Sequence, residues 1–453
     1  MSEQIHENKM GTMPVGKLII SMSWPAMLSM LIQAFYNIVD SFFVAKLGEQ
    51  ALAAVTYIFP VQMLMIAMGV GTGIGVNSLI SRRLGAKRFE EADKAASHGY
   101  RLSFFNWSIF LIIGLFLARI FMSLFTDTEY IIENGTSYLR IICICSIFPF
   151  IQMVTEKILQ ATGNMIFPML CSLAGAVTNI ILDPLLIFGI GPFPVMGVTG
   201  AAVATVAGQF VSLSLGQYLL FAKKHQVHVK FRGFKMEMAI IKDIYAVGAP
   251  AILMQAMGSV LQLGLNGVLA GLSETAVAVN GVYGRVQSFI FMPVFGINQG
   301  VMPIMGYNYG ARHKNRLMKT YKLAFLIAFT IMTIGMILFQ LFPETFLSIF
   351  NASENMYAIG VPAFRIISLC FIPAAFGIIS SSLLQATGHG VLSMWMSLIR
   401  QMIGILPLAI FLGSRFGLPH VWAAFPMAEV LGVTFAAFAI VHVYKKEIKL
   451  LDR

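Results

Sequence analysis

Charge is what this sequence has least of. Only 11% of its 453 residues are Asp, Glu, Lys or Arg, while 58% are hydrophobic. Soluble domains carry about 25% charged residues, so a water-soluble globule is excluded. Cysteine is also sparse. Cys143, Cys145, Cys171 and Cys370 lie inside apolar runs without ligand spacing, which excludes a disulfide framework or a zinc site and predicts buried thiols. Strands that alternate polar and apolar residues are missing, which argues against a barrel, and open sheets cannot satisfy their backbone groups in lipid. There is no basic domain or stacking platform to go with the net charge of +11, so nucleic-acid binding is excluded. No paired-His motif and no nucleophile with a base supports an intramembrane enzyme. A cleavable signal peptide is not expected either, because the run after Lys17 is too long for one; the first span is expected to act as the targeting signal.

What the chain has is hydrophobic length, with a mean hydropathy of +0.80. A spanning helix takes about 20 apolar residues. Apolar runs and charged breaks predict twelve, at 18–46, 51–80, 96–124, 129–157, 165–190, 197–222, 243–271, 276–305, 320–342, 355–385, 391–413 and 418–444. The expected fold is therefore all-α and integral to the membrane. It divides into a cytoplasmic N-terminal segment 1–17, a lobe 18–222, a basic cytoplasmic linker 223–242, a second lobe 243–444 and a cytoplasmic tail 445–453.

The few charges are sorted by side. Alternate connections hold Arg82, Arg83, Lys87, Arg88 and Lys94; Lys223, Lys224, Lys230, Arg232, Lys235 and Lys242; Arg312, Lys314, Arg316, Lys319 and Lys322; and the tail with Lys445, Lys446, Lys449 and Arg453. The opposite connections hold Asp127 and Glu129, or Glu344 and Glu354. The positive-inside rule then places both termini in the cytoplasm. The linker reads as a solvated loop with some attraction to anionic lipid.

An internal repeat runs through the chain. Trp24-Pro25-Ala26 returns as Ala249-Pro250-Ala251, Gly71 and Gly75 as Gly296 and Gly300, Gly85-Ala86 as Gly310-Ala311, and Arg140-Ile-Ile-Cys-Ile-Cys145 as Arg365-Ile-Ile-Ser-Leu-Cys370. Leu159-Gln-Ala-Thr-Gly163 returns unchanged as Leu384-Gln-Ala-Thr-Gly388, and every pair is 225 positions apart. Six helices separate the copies, so both have the same membrane orientation, as in transporters built from two pseudo-symmetric six-helix lobes. Gly69, Gly71, Gly73 and Gly75 lie within a span and read as a packing face, not a phosphate loop.

Residues present in only one copy are the candidates for function. Asp40 has Leu265 as its repeat partner, Glu156 has Ser381 and Asp183 has Leu408. On this reading all the intramembrane acids fall in the N-terminal copy. An ionised carboxylate at mid-bilayer costs about 2.5–3.5 kcal/mol on insertion scales, so each calls for a cation, a proton or a hydrogen-bond network. Ser29, Gln33, Tyr36, Asn37 and Asp40 form one polar stripe at helical spacing. Asn179 and Asp183 share a face, and Pro184 permits a bend beside them. The C-terminal copy carries uncharged stripes: Gln255, Ser259, Gln262 and Asn266, then Asn280 and Gln287. Amides of this kind either glue helices together or contact substrate; for Asp40 and Asp183 the functional reading is favoured. Most of the 29 Met and 37 Phe are expected to face lipid or pack the lobes, a minority lining a cavity.

Tyr36-Asn-Ile-Val-Asp40-Ser-Phe-Phe-Val-Ala-Lys-Leu-Gly48, Ser81-Arg-Arg-Leu-Gly85-Ala86, Asn179-Ile-Ile-Leu-Asp183-Pro-Leu-Leu-Ile-Phe-Gly189 and Gly197-Val-Thr-Gly-Ala-Ala-Val-Ala-Thr205, in that order and spacing, resemble the multidrug and toxic compound extrusion (MATE) family across essentially all twelve helices. The seventh and tenth helices hold Gln255 and Ser380 or Ser381 instead of an acid, which resembles the DinF-type and MepA-like branches more than the NorM-type. The resemblance implies a V-shaped pair of lobes and a secondary antiporter, not an enzyme, that exports organic cations in exchange for protons or sodium ions. It implies that Asp40 is the coupling acid, with Gln33, Tyr36, Tyr138, Asn179, Asp183 and Thr205 as hydrogen-bond partners; Thr199 lies close to the last. Glu156 matches an acid of MepA-like members, so a chain with both Asp40 and Glu156 has a mixed pattern.

Two close carboxyls in a low dielectric compete for charge, so Asp40 is expected to take the proton and Asp183 to titrate with it as a pair. The expected coupling ion is H+, with Na+ as the alternative. No cofactor and no metal is expected. The expected partners are small organic cations and the bilayer of the inner (plasma) membrane, around a monomer. The rival within the superfamily is a flippase for lipid-linked precursors, which would use Arg140, Arg285 and Arg365 to hold a diphosphate.

Overall fold

The computed structural model describes residues 8–223, 225–230 and 235–451. Lys224, Arg232 and Arg453, which entered the charge pattern above, lie outside the described residues. Every regular element among the described residues is helical. Among the described residues ten helices are long and apolar enough to cross a membrane: Val15–Ala45, Glu49–Gly85, Phe89–Ser123, Ile166–Phe188, Gly197–Ala222, Met238–Ala270, Glu274–Gly310, Lys314–Leu341, Gly390–Phe416 and Leu418–Leu450. Two bent pairs, Glu129–Ile144 with Ile147–Ala161 and Glu354–Ser368 with Phe371–Ala386, bring the number of spans to 12. All twelve expected spans are present. They are called the first to twelfth in chain order.

Several helices run further than their apolar runs. The second ends at Gly85 and the third begins at Phe89, so most of the basic connection between them is helix. Charge sustains these polar turns: Arg82 and Arg83 lie in the last turn of one helix, Glu90 and Glu91 in the first turn of the next, each sign suited to the helix dipole it meets. The turn between them is a Schellman cap. The Arg88 amide donates to Arg83 O at 2.8 Å and the Lys87 amide to Leu84 O at 3.0 Å, with Lys87 at φ 58°. The same cap closes the eighth span, where His313 donates to Asn308 O at 2.9 Å and Arg312, at φ 59°, to Tyr309 O at 3.1 Å. The bends recur as well, by 43° within the fourth span and 48° within the tenth. The register read from identities is thus also a register of backbone geometry.

The chain packs as two compact units, one of residues 28–252 and the other of 1–27 with 253–453. These borders are not the linker borders at 222 and 243; they fall inside the first and seventh spans. Within the unit 28–252, the N-terminal part of the seventh span lies in a notch made by Gly71 and Gly75, where an added Cβ would overlap Ile252 and the carbonyl of Ile244. Within the other unit, the N-terminal part of the first span fills the equivalent notch at Gly296 and Gly300, against Met27, Met22 and Ser23. The small residues let backbones touch where no hydrophobic effect would draw helices together. Pro25 and Pro250 sit inside the two shared helices, just before the unit borders, and each removes a backbone donor there.

The described part of the linker keeps Lys223, Lys230, Lys235 and Lys242 exposed, as expected of a solvated loop, and is also tethered to the unit 28–252. Lys94 Nζ pairs with Glu237 at 2.6 Å, the His228 amide donates to Asp93 at 2.7 Å and the Glu237 amide to His98 Nε2 at 2.9 Å; just past the linker, Arg83 pairs with Asp243 at 3.3 Å. The four cysteines are free; Cys143, Cys171 and Cys370 are buried and Cys145 half-buried.

The glycine notch makes a signed prediction. Gly75→Ala must push the Ile244 carbonyl away and is expected to lower stability by about 1–3 kcal/mol. Gly258→Ala, in a helix position where an added Cβ meets nothing within 4 Å, is expected to be neutral or to stabilise by up to about 1 kcal/mol. Thermal unfolding of the purified protein in detergent compares the two.

Candidate functional site

Close packing of two helices builds the site. On the fifth and sixth spans Gly175 and Gly208 face each other, and a Cβ on either would run into the other's carbonyl. One turn beyond Gly175, Asn179 therefore meets Thr205. With its amide oriented to satisfy both neighbours, Asn179 Nδ2 donates to Asp183 Oδ2 at 3.0 Å and its oxygen accepts from the Thr205 amide at 3.1 Å. Asp183 is fully buried and Asn179 nearly so, at 0% and 2% exposure.

The first span brings Asp40 to this pair. The Asp40 and Asp183 carboxyls are within hydrogen-bonding reach of each other, a contact that is favourable only with a proton between them. Oδ1 of Asp40 is buried without a hydrogen-bond partner. Thr205 closes the cluster: the hydroxyls of Tyr36 and Tyr138 both reach its side chain. Gln62 Nε2 donates to Tyr138 OH at 3.5 Å. Asp40, Asp183, Tyr36, Tyr138, Asn179 and Thr205 are thus together, and of the two threonines it is Thr205, not Thr199, that lies among them.

Other named residues lie apart. Gln33 and Asn37 are exposed on the first span, and no hydrogen bond joins them to the cluster. Glu156 belongs to a separate network, accepting from Gln152 Nε2 at 3.0 Å and reaching Ser172. Beside it Lys157 Nζ donates to Gln160 at 2.9 Å, and Tyr100, Thr155 and Gln217 hydrogen-bond among themselves. In the C-terminal copy Asn266 accepts from Asn280 at 2.9 Å and from Gln262 at 3.5 Å, tying the seventh span to the eighth, whereas Gln255 is exposed. Arg140, Arg285 and Arg365 are exposed and make no ion pair among the described residues.

Three charges were missed. Lys157 stands next to Glu156, with Ser382 as its repeat partner. In the C-terminal copy Arg400 and Glu429 form an ion pair at 3.6 Å, with side chains 28% and 5% exposed. Glu429 overturns the expectation that the intramembrane acids all fall in the N-terminal copy. The signal was available: Arg400 has Gly175 as its partner and Glu429 has Ala204, the same contrast that exposes Asp40.

That contrast also says what the carboxyl cluster is not. Tyr36, Asp40, Tyr138, Asn179, Asp183 and Thr205 correspond to Leu261, Leu265, Ala363, Gly404, Leu408 and Val430. The fold is built a second time with no polar group at any of the six, so the cluster is not needed for the scaffold.

Two six-span copies, one of which carries unmatched carboxyls within its membrane-spanning helices, are the architecture of a membrane transporter. The MatE family model matches residues 25–185 and again 250–410, two windows in the same 225-residue register, and the chain belongs to the MATE family of transporters. Its relatives include the multidrug export protein MepA of Staphylococcus aureus, 27% identical over 443 residues with 95% of this chain and 94% of that one covered. The FAD transporter of Shewanella oneidensis is 26% identical over 419 residues, 92% of each chain. Among solved structures, an outward-facing multidrug resistance MATE family transporter of the MOP superfamily superposes with a TM-score of 0.90 at 28% identity, covering 98% of this chain and 100% of the other.

Thr205→Val removes the hydroxyl shared by both tyrosines and is expected to cut transport about tenfold or more, the worth of one to two buried hydrogen bonds. Thr199→Ala should leave it within about twofold. Initial efflux rates at equal protein levels in the membrane distinguish the two.

Proposed function

We propose that this protein is a secondary antiporter that exports organic cations in exchange for protons by alternating access. The observation that carries the reading is the Asp40–Asp183 contact: a half-buried and a fully buried carboxyl that meet favourably only with a shared proton or a cation, in a lobe whose twin has Leu265 and Leu408 at the same places. A cationic drug and a proton compete for one charge. Protonation from an acidic exterior releases the drug, and deprotonation toward the cytoplasm readies the pair for the next. Asp40, with a buried oxygen awaiting a donor, is the primary acceptor; Asp183, held by Asn179, titrates with it. Sodium is the alternative ion, since two carboxylates and hydroxyl oxygens also suit a hard cation.

The remaining elements of the reading rest on charge and composition. The basic connections put both termini in the cytoplasm of a cell whose inner membrane holds the transporter, and the working unit is a monomer. Gln33 and Asn37, exposed beside the cluster, contact substrate, while Gln255 and Asn266 serve the C-terminal copy. Flipping of a lipid-linked diphosphate is not favoured, because no observation gathers Arg140, Arg285 and Arg365. A second reading, transport of substrates that carry an anionic group, draws on the FAD transporter relative and on the half-buried Arg400 in the C-terminal copy.

In proteoliposomes loaded with a fluorescent cation, a pH gradient is expected to drive transport and a sodium gradient to do so only if Na+ replaces H+. Asp40→Asn is expected to abolish the pH-driven flux and leave the protein folded and monodisperse. Normal flux in that variant would refute the assignment of Asp40.

A further inference from the structure

The two repeats use one location differently. In the N-terminal copy Glu156 of the fourth span meets Ser172 of the fifth. Their repeat partners, Ser381 and Ser397, line a cavity of about 120 Å³ in the C-terminal copy, together with Asn298, Arg400 and Glu429. The charge has changed helices. Where the N-terminal copy supplies it from the fourth span, the C-terminal copy supplies it from the eleventh and twelfth, at positions occupied in the other copy by Gly175 and Ala204. The fold does not require these charges, and a buried ion pair is weak evidence for stability because desolvation offsets its attraction.

Arg400 is poised for a further partner. Its NH1 meets Glu429 at 3.6 Å, a long single contact, which leaves most of its donors for another group. A guanidinium has five donors in a rigid fork suited to a carboxylate or phosphate, and this one is partly exposed on the cavity wall. Arg400 lies in a π-helical segment, Ile399–Ile405, a distortion frequent at functional sites, whereas the corresponding stretch of the fifth span is regular α-helix. Asn298 Oδ1 is buried on the same wall with no hydrogen-bond partner, an acceptor left open for a ligand hydroxyl or N–H. The cavity holds a small group and not a whole drug, for which about 300–1,000 Å³ is usual.

We propose that this cavity is a second ligand subsite that binds the anionic oxygen group of a substrate, with Arg400 as its counter-ion and Glu429 as the internal competitor it displaces. It extends the exporter reading from plain cations to substrates that also bear an acid. Because Glu429 competes with the ligand, removing its charge strengthens binding, which loss of a merely structural contact would not do.

The test is equilibrium binding of matched probes to the purified protein in detergent: a rhodamine methyl ester against its free acid, and riboflavin against riboflavin phosphate. Each pair differs only in the anionic group, and the two pairs separate carboxylate from phosphate. Glu429→Gln is expected to tighten the acid-bearing probe severalfold and leave its neutral-ended twin unchanged. The double variant Arg400→Gln with Glu429→Gln, which leaves no charge unpaired, is expected to weaken the acid-bearing probe about tenfold or more, the loss of a charge-assisted hydrogen bond, again sparing the twin. Equal effects on both members of a pair, no effect on either, or no binding of any acid-bearing probe by the unmodified protein would overturn the subsite. The exporter reading would still stand or fall on the flux of a plain cation under a pH gradient.

Discussion

Hydrocarbon offers no partner to a polar group, and each one left unsatisfied costs several kcal/mol. The backbone answers by closing its hydrogen bonds within helices, which is why all regular structure among the described residues is helical. The charged side chains answer by collecting at helix ends, where Arg82, Arg83, Glu90 and Glu91 extend the second and third spans beyond their apolar runs. What cannot move to an end must find a partner inside. Asn179 on Asp183, Gln152 on Glu156 and Arg400 on Glu429 are three such solutions.

The same constraint makes the repeat an internal control. Two copies 225 residues apart reproduce the glycine notches, the Schellman caps and the broken fourth and tenth spans, so these belong to the scaffold. Polar groups that appear in one copy alone are carried at a cost the fold does not demand. By that measure Asp40 and Asp183 are candidates for function, and so are Arg400 and Glu429. The two copies have specialised differently: one concentrates acid, the other an acid with its own cation.

Much of the fold was legible in the sequence. Twelve apolar runs became twelve spans, and the repeat register held down to single hydrogen bonds, because both depend on local composition. The carboxyl cluster was legible in part. Asp40 and Asp183 stood out as charges in apolar runs, while Tyr138 and Thr205 were reached only through a family resemblance, since an isolated hydroxyl in a span carries no pattern of its own. Lys157, Arg400 and Glu429 went unread for a related reason. The repeat contrast marks each of them, but Lys157 sits beside an acid already noted, and the pairing of Arg400 with Glu429 joins two helices.

The sequence by itself determined that the chain lives in a membrane, crosses it twelve times, repeats itself and carries unmatched acids, because hydropathy, length and register are properties of contiguous residues. Only the tertiary structure decided which polar groups meet. Helix packing selected Thr205 over Thr199, left Gln33 and Asn37 outside the cluster, and paired Arg400 with a glutamate 29 positions away. It also moved the unit borders from the linker into the first and seventh spans, because glycine notches at Gly75 and Gly300 accept a helix from the other end of the repeat. Contacts of that kind are set by backbone approach, and no single stretch of sequence contains both of their sides.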